Sequence, residues 1–191
     1  MTNSRREFIK AGLLGSTAIA AGVPMIGHAG EHESAHGPLD ILILGGTGFI
    51  GPHMVREALR RGHGVTLFNR GRTNNKIFPD LEKIKGDRDG GLDGLKGRSW
   101  DVVVDNSGYV PRHVQDSARR LANSTRRYIY ISTVSVYADF NVHNTEDSLL
   151  ATIADESIEE VTGETYGALK ALCETRAAGE IAAEQLTVLR P

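Results

Sequence analysis

Leu39-Asp40-Ile41-Leu42-Ile43-Leu44-Gly45-Gly46-Thr47-Gly48-Phe49-Ile50-Gly51 is the stretch on which the fold turns. The β-rich run from Leu39 to Leu44 reads as the first strand, and it stops at a loop with glycines at 45, 48 and 51. Beyond the loop, Met54, Val55, Ala58 and Leu59 form an apolar stripe at helical spacing, with Arg56, Glu57, Arg60 and Arg61 on the other side. Gly62-His63-Gly64 ends that helix. In such a strand, loop and helix, the first glycine makes the tight turn, the second lets the backbone approach a pyrophosphate, and the third lets the helix pack closely on the strand. Amides at the helix start, with the helix dipole, favour negative charge there. Gly45, Thr47, Gly48, Phe49, Ile50 and Gly51 are therefore the expected cradle for the phosphates of a dinucleotide.

Downstream, short β-rich runs alternate with helical periodicity, which is the sequence form of a parallel sheet covered by helices. Strands are expected at 65–68, 82–85, 100–104, 127–131 and 186–189. Pro111 suits the first turn of a helix because no amide donor is needed there, and Val114, Ala118, Leu121 and Ala122 continue its apolar face. A further helix is expected over 165–184, and the lone Cys173, which can form no internal disulfide, should pack within it. Asp139 to Glu160 is polar, acidic and without pattern, so it reads as a long surface loop or lid. The expected fold is α/β: a doubly wound parallel sheet of Rossmann type in three α/β/α layers.

The end of the second strand bears on the cofactor. An acid that binds ribose is expected about 20 residues beyond the loop. Here Asn69 stands 24 residues beyond Gly45, followed by Arg70, Gly71 and Arg72. Asn can still bond a ribose, and a neighbouring guanidinium can hold a 2′-phosphate in a bidentate pair. The expected cofactor is NADP or NAD, with NADP favoured. Asn106, Ser107, Gly108 and Tyr109 follow the fourth strand, and by itself Asn-Ser-Gly is ordinary turn chemistry.

The first thirty residues carry a different signal. Ser4-Arg5-Arg6-Glu7-Phe8-Ile9-Lys10 resembles a twin-arginine export motif, and no Asp, Glu, Lys or Arg occurs from Ala11 to Gly30. Glycines and Pro24 dilute that run, which favours a cleaved signal over a membrane anchor. Small residues at Gly27 and Ala29 set the expected cleavage after Ala29. Residues 1–29 are thus an expected Tat signal peptide, 30–38 a linker, and 39–191 an NAD(P)-binding domain. The Tat translocase is the expected partner during export, and the periplasm or exterior the destination. Loss of Arg5, Arg6, Lys10 and Glu7 would leave 19 basic and 23 acidic residues, a mildly acidic balance unsuited to nucleic acid. His28, His32 and His36 recur every four residues, but among Gly, Glu and Ser they read as a solvated spacer, and no metal site is expected.

Tyr166 and Lys170 are spaced i, i+4 and project from one helical face. A phenol is a poor base at neutral pH, but an adjacent ammonium favours its phenolate, which can exchange a proton with a substrate hydroxyl or carbonyl. The pair lies between Ile131-Ser132-Thr133-Val134-Ser135-Val136-Tyr137 and Leu189-Arg190-Pro191. With the glycine loop and Gly86-Asp87-Arg88-Asp89, these motifs make the chain from Leu39 to Pro191 resemble the extended short-chain dehydrogenase/reductase family, in its NAD-dependent epimerase/dehydratase group.

That resemblance implies hydride transfer at a hydroxyl or carbonyl carbon of a sugar or sugar-nucleotide-like small molecule. Thr133 would bond the reacting oxygen, Tyr166 would serve as acid and base, and Lys170 would bind ribose and tune Tyr166. Asp87 would contact the adenine, with Arg88 beside it, and Asn106, Ser107, Gly108 and Tyr109 would line the cofactor site where the family's cofactor passes over the sheet edge. Two departures matter. Val134-Ser135 stand where the dehydratases place Asp-Glu after the catalytic Thr, which disfavours dehydration, and Ala138 replaces the usual Gly after Val-Tyr. Family members continue past Leu-Arg-Pro into a substrate-binding region, so the expectation is a domain truncated before that region, with a homodimer among its expected partners. The alternatives are a non-catalytic dinucleotide- or RNA-binding module, or an inactive fragment.

Overall fold

The computed structural model describes residues 37–191. The expected signal peptide, its cleavage site and the three spaced histidines lie outside the described residues. Six strands form one sheet: β1 (Asp40–Leu44), β2 (Gly64–Asn69), β3 (Glu82–Lys85), β4 (Trp100–Asp105), β5 (Thr125–Ile131) and β6 (Leu186–Leu189). All pairings are parallel, in the order β3-β2-β1-β4-β5-β6. Three helices connect them: α1 (Gly51–Arg60), α2 (Pro111–Leu121) and α3 (Tyr166–Glu180).

Alternation along β1 explains the layers. Leu42 and Leu44 join the core beneath α2 and α3, with Val103, Tyr128, Val114, Leu121 and Cys173. Ile41 and Ile43 face the other way, toward Val55 and Ala58 of α1. A strand buried on both faces has to be apolar at every position, as Ile41 to Leu44 are. The helix layers are unequal: α2 and α3 pack together on one face, while α1 stands on the other.

Each expected strand is present to within two residues at either end. The last helix is shorter than its expected span of 165–184, because Ile181 leaves the helix in an extended conformation and turns its side chain into the core at 2% exposure. Two short 3-10 turns, at Asp93–Leu95 and Val134–Val136, fall in segments with no periodic pattern to announce them. The expected acidic loop continues to Thr165, just before α3, and holds one isolated antiparallel bridge, Tyr137 to Leu150.

Chain direction across the sheet reverses between β1, which continues to β2 on one side, and β4 on the other. Helices leave the two strands on opposite faces, so a crevice opens at their carboxyl ends.

Candidate functional site

That crevice is a cavity of about 410 Å³. Gly45, Thr47, Gly48, Phe49, Asn69, Arg70, Asp87, Arg88, Asn106 and Ser107 line it, which brings together ten residues drawn from four separate segments. Ile50 and Gly51 lie behind the loop. Ile50 caps α1, and the carbonyl of Gly45 approaches so closely that a Cβ on Gly51 would stand 2.5 Å from it. Gly45 has φ of 94°, and a Cβ there would meet Ser107 at 2.6 Å. Gly48, by contrast, has open space above it, the nearest atom to a Cβ being Thr73 Cγ2 at 3.9 Å.

The loop is held from outside. Asn106 Nδ2 donates to Gly45 O at 3.3 Å, and Asn74 Nδ2 to Thr47 O at 3.1 Å. The amides of Thr47, Gly48, Phe49 and Ile50 donate to no acceptor among the described residues. Such a row of unused donors at a helix start suits an anion. Phe49, at φ of 50° and 87% exposure, carries its ring into the open.

At the β2 side, Asn69 Oδ1 accepts from Gly71 N at 2.9 Å, while its Nδ2 is buried and has no partner. Asn69 as a residue nevertheless lines the cavity. Arg70 and Arg72 both line this end and form no ion pair among the described residues. The site thus fits a dinucleotide on two counts: free loop amides, and two guanidinium groups unpaired among the described residues.

Arg88 is placed differently from its neighbours. It touches the cavity, but its side chain turns inward: Nη1 and Nη2 donate to Asp105, Nε to Ser117 Oγ at 3.1 Å, and Nη2 also to His113 O at 3.2 Å. Burial opposes its charge, and the charge and hydrogen bonds of Asp105, together with the nearby Tyr128 and Tyr130 hydroxyls, offset this and move its pKa up. Its donors are committed to the protein. Asp87, beside it, accepts from Asp89 N and keeps its place in the lining.

Thr133, Tyr166 and Lys170 lie outside the cavity lining, and no hydrogen bond joins them to one another among the described residues. Thr133 caps the 134–136 turn, accepting from Ser135 N and donating to Ser135 Oγ, both at 3.2 Å. Tyr166 begins α3, and Gly167 packs directly on the Ser135 carbonyl, where no side chain would fit. Lys170 is 3% exposed; its Nζ donates to Gly108 O at 2.8 Å and Ile131 O at 2.7 Å. Burial pulls its pKa down to about 8. The Tyr109 ring stands between the two groups: it lines the cavity, lies 6.3 Å from the Tyr166 ring, and is 5.4 Å from Lys170 Nζ.

Several lining residues were not singled out from the sequence, among them Thr73, Val110 and His113. Thr73 lies in a loop, and Val110 and His113 stand at and just inside the start of α2, where the local sequence says nothing of a cavity. Among the described residues no group of three or more His, Cys, Asp or Glu side chains is arranged to hold a metal ion, and no helix is long and apolar enough to cross a membrane.

Comparison with known proteins fits this geometry. The model of the NAD dependent epimerase/dehydratase family matches residues 41–91, the span from β1 through β3 and the turn after it. Among solved structures, the Bordetella bronchiseptica enzyme WbmG in complex with NAD superposes with a TM-score of 0.63 at 19% identity, covering 82% of this chain and 54% of that one. The UDP-Glc/GlcNAc 4-epimerase of Campylobacter jejuni gives 0.64 at 20% identity, over 81% and 53%. These likenesses establish the fold as the Rossmann-like α/β sheet of such enzymes. A curated relative, the chloroplast stem-loop binding protein of 41 kDa b from Arabidopsis thaliana, is 34% identical over 136 residues, or 62% of this chain and 36% of its own length. The chain therefore spans about a third of that relative and about half of the solved structures.

Proposed function

We propose that this chain is the dinucleotide-binding part of an NAD(P)-dependent oxidoreductase or epimerase of the extended short-chain dehydrogenase/reductase type. The observation that carries this is a loop of unused amides at the start of α1 that lines one cavity together with Asn69, Arg70 and Asp87. The free amides would take the pyrophosphate, Asn69 a ribose hydroxyl, and Arg70 with Arg72 a 2′-phosphate, which favours NADP. The bound nicotinamide would supply the hydride donor or acceptor. Thr133 would then hydrogen-bond the reacting oxygen and Tyr166 move its proton, while Lys170, with one N–H left after its two carbonyl bonds, would bind ribose and favour the Tyr166 phenolate. Val134 and Ser135 after Thr133 weigh against dehydration. Neighbouring structures hold UDP and UDP-glucose, which supports a sugar-nucleotide-like substrate. A Tat signal over 1–29, a linker over 30–38 and export of the folded, nucleotide-loaded protein complete the reading.

Titration of NADP and NAD onto wild type and Arg70→Ala tests it, followed by nicotinamide reduction across a panel of sugars, sugar nucleotides and alcohols with this chain and any longer form of it. Wild type should bind both dinucleotides, and Arg70→Ala should lose NADP selectively. Failure of the wild type to bind either rejects the reading, and binding without turnover in a longer form rejects its catalytic part.

A second reading, a nucleic-acid-binding module, is favoured by the name of the Arabidopsis relative. Against it stand the acidic balance of the chain and the eight Asp and Glu residues, with no Lys or Arg, between Asp139 and Glu164. Retardation of an RNA hairpin at physiological salt would support it.

A further inference from the structure

Tyr109 occupies a position that its neighbours fix from both sides. The carbonyl of Gly108 is held by two donors, Lys170 Nζ and Tyr130 OH, each at 2.8 Å. A Cβ on Gly108 would stand 2.5 Å from Val114 Cγ2 and 2.8 Å from Tyr130 Cε2, so the chain packs closely under both side chains here and only glycine fits. On the other side Val110 is extended and Pro111 opens α2. A residue between two such anchors has a preset backbone, and its ring projects from a rigid base.

The direction of the site says what that ring meets. Asn69, Arg70 and Asp87 stand at the β2 and β3 end, the glycine loop spans the middle over β1, and Tyr109 leaves β4 toward Tyr166 and Lys170 at the start of α3. A dinucleotide laid along this line with its 2′-phosphate end at Arg70 brings its nicotinamide half to Tyr109. The ring is 41% exposed, so it has a free face for a ligand. It also lies 5.4 Å from Lys170 Nζ, which sits 4.2 Å from the Tyr130 ring, so the ammonium is flanked by two aromatic rings.

We propose that Tyr109 seats the nicotinamide half of the dinucleotide, packing its ring against the ligand at the partition between the cavity and the Tyr166–Lys170 pair. This rests on the dinucleotide reading above. It makes Tyr109 a positioning residue for whatever hydride chemistry follows, working through stacking rather than through its hydroxyl.

The experiment compares NAD(P)H with ADP-ribose, which lacks the nicotinamide, on the full chain and on Tyr109→Phe and Tyr109→Leu. Tyr109→Leu should weaken NAD(P)H about five- to tenfold, in line with the worth of an aromatic contact, and leave ADP-ribose unchanged. Tyr109→Phe should bind both as wild type does. Equal weakening of both ligands by Tyr109→Leu, or no weakening of either, overturns the proposal while leaving the dinucleotide reading in place. A wild type that binds neither ligand overturns the reading itself and the proposal with it.

Discussion

Asp105, fully buried at the end of β4, accepts both terminal nitrogens of Arg88, at 2.5 and 2.6 Å, and the hydroxyl of Tyr128 at 2.8 Å. This ion pair joins the turn after β3 to the floor of the cavity. Removing one partner of a buried pair strands the other charge, which costs about 3–5 kcal/mol, whereas replacing both with apolar groups is often neutral. Asp105→Ala should therefore lower stability by that order in urea unfolding. The double variant Arg88→Met, Asp105→Leu should recover most of it. Equal losses in the single and double variants would show that the pair itself, and not an uncompensated charge, sets the cost.

Arg88 also shows where sequence reading reaches its limit. Gly-Asp-Arg-Asp after β3 located the residue at the cavity, but nothing local tells that Asp105, the acid that ends β4 17 residues on, is buried and needs a counterion. The sheet was legible because buried strands and amphipathic helices print their periods directly, as Ile41 to Leu44 and Val114, Ala118 and Leu121 do. The end of α3 was not, because Ile181 extends the apolar pattern while its backbone leaves the helix to fill the core. Spacing placed Tyr166 and Lys170 on one helix. It could not show that Lys170 turns to two backbone carbonyls, or that Tyr109 stands between the pair and the cavity, since these depend on contacts across 39 to 62 residues.

Two glycines of the loop should respond to alanine in different ways. On Gly51 a methyl would meet the backbone of Gly45 and Gly46 at 2.5 to 2.9 Å, so α1 would have to move off β1. Gly51→Ala should lose both stability and dinucleotide binding. On Gly48 the same methyl meets only Thr73 Cγ2, at 3.9 Å, and fills space the ligand needs. Gly48→Ala should stay within about 1 kcal/mol of wild type in stability and lose binding. Thermal unfolding beside an NAD(P)H titration separates the two cases, and retained binding in Gly48→Ala would count against the phosphate cradle.

Lys170 makes stability depend on pH in a specific sense. Unfolded, it keeps its proton up to its ordinary 10.5; folded, burial brings the pKa to about 8. Between these values unfolding takes up a proton, so raising the pH favours the folded state. The shift is worth on the order of 3 kcal/mol when complete. Cys173, whose thiol burial pushes up from 9.0 to about 11, works in the opposite sense but is present in both proteins of the comparison. Urea unfolding of wild type and Lys170→Met at pH 7 and pH 10 should show the difference moving toward wild type at pH 10. An unchanged difference would mean that the ammonium is solvated in the folded state.

Arg112, in the first turn of α2, ties the acidic segment 139–164 to Asp89 in the turn after β3. Its Nε and Nη2 donate to Glu159 at 2.7 and 2.9 Å, and its Nη1 to Asp89 at 2.8 Å. The Arg112 guanidinium holds the Glu159 carboxyl below its usual range, so the clasp survives moderate acid. All three side chains are more than 40% exposed, and exposed pairs add little to global stability. The segment they hold carries eight carboxylates and no Lys or Arg of its own, so without the clasp its self-repulsion is opposed by the Glu156–Arg176 contact, the Arg190 bond to Glu146 O and the backbone bonds around the Tyr137–Leu150 bridge, which leaves its 155–164 end the loosest. Arg112→Ala should accordingly leave the urea midpoint unchanged and speed proteolytic cleavage within 139–164. Because salt screens exposed charge, wild type in 1 M NaCl should move toward the variant's cleavage rate. A lowered midpoint without faster cleavage would place the role of Arg112 in the core fold instead.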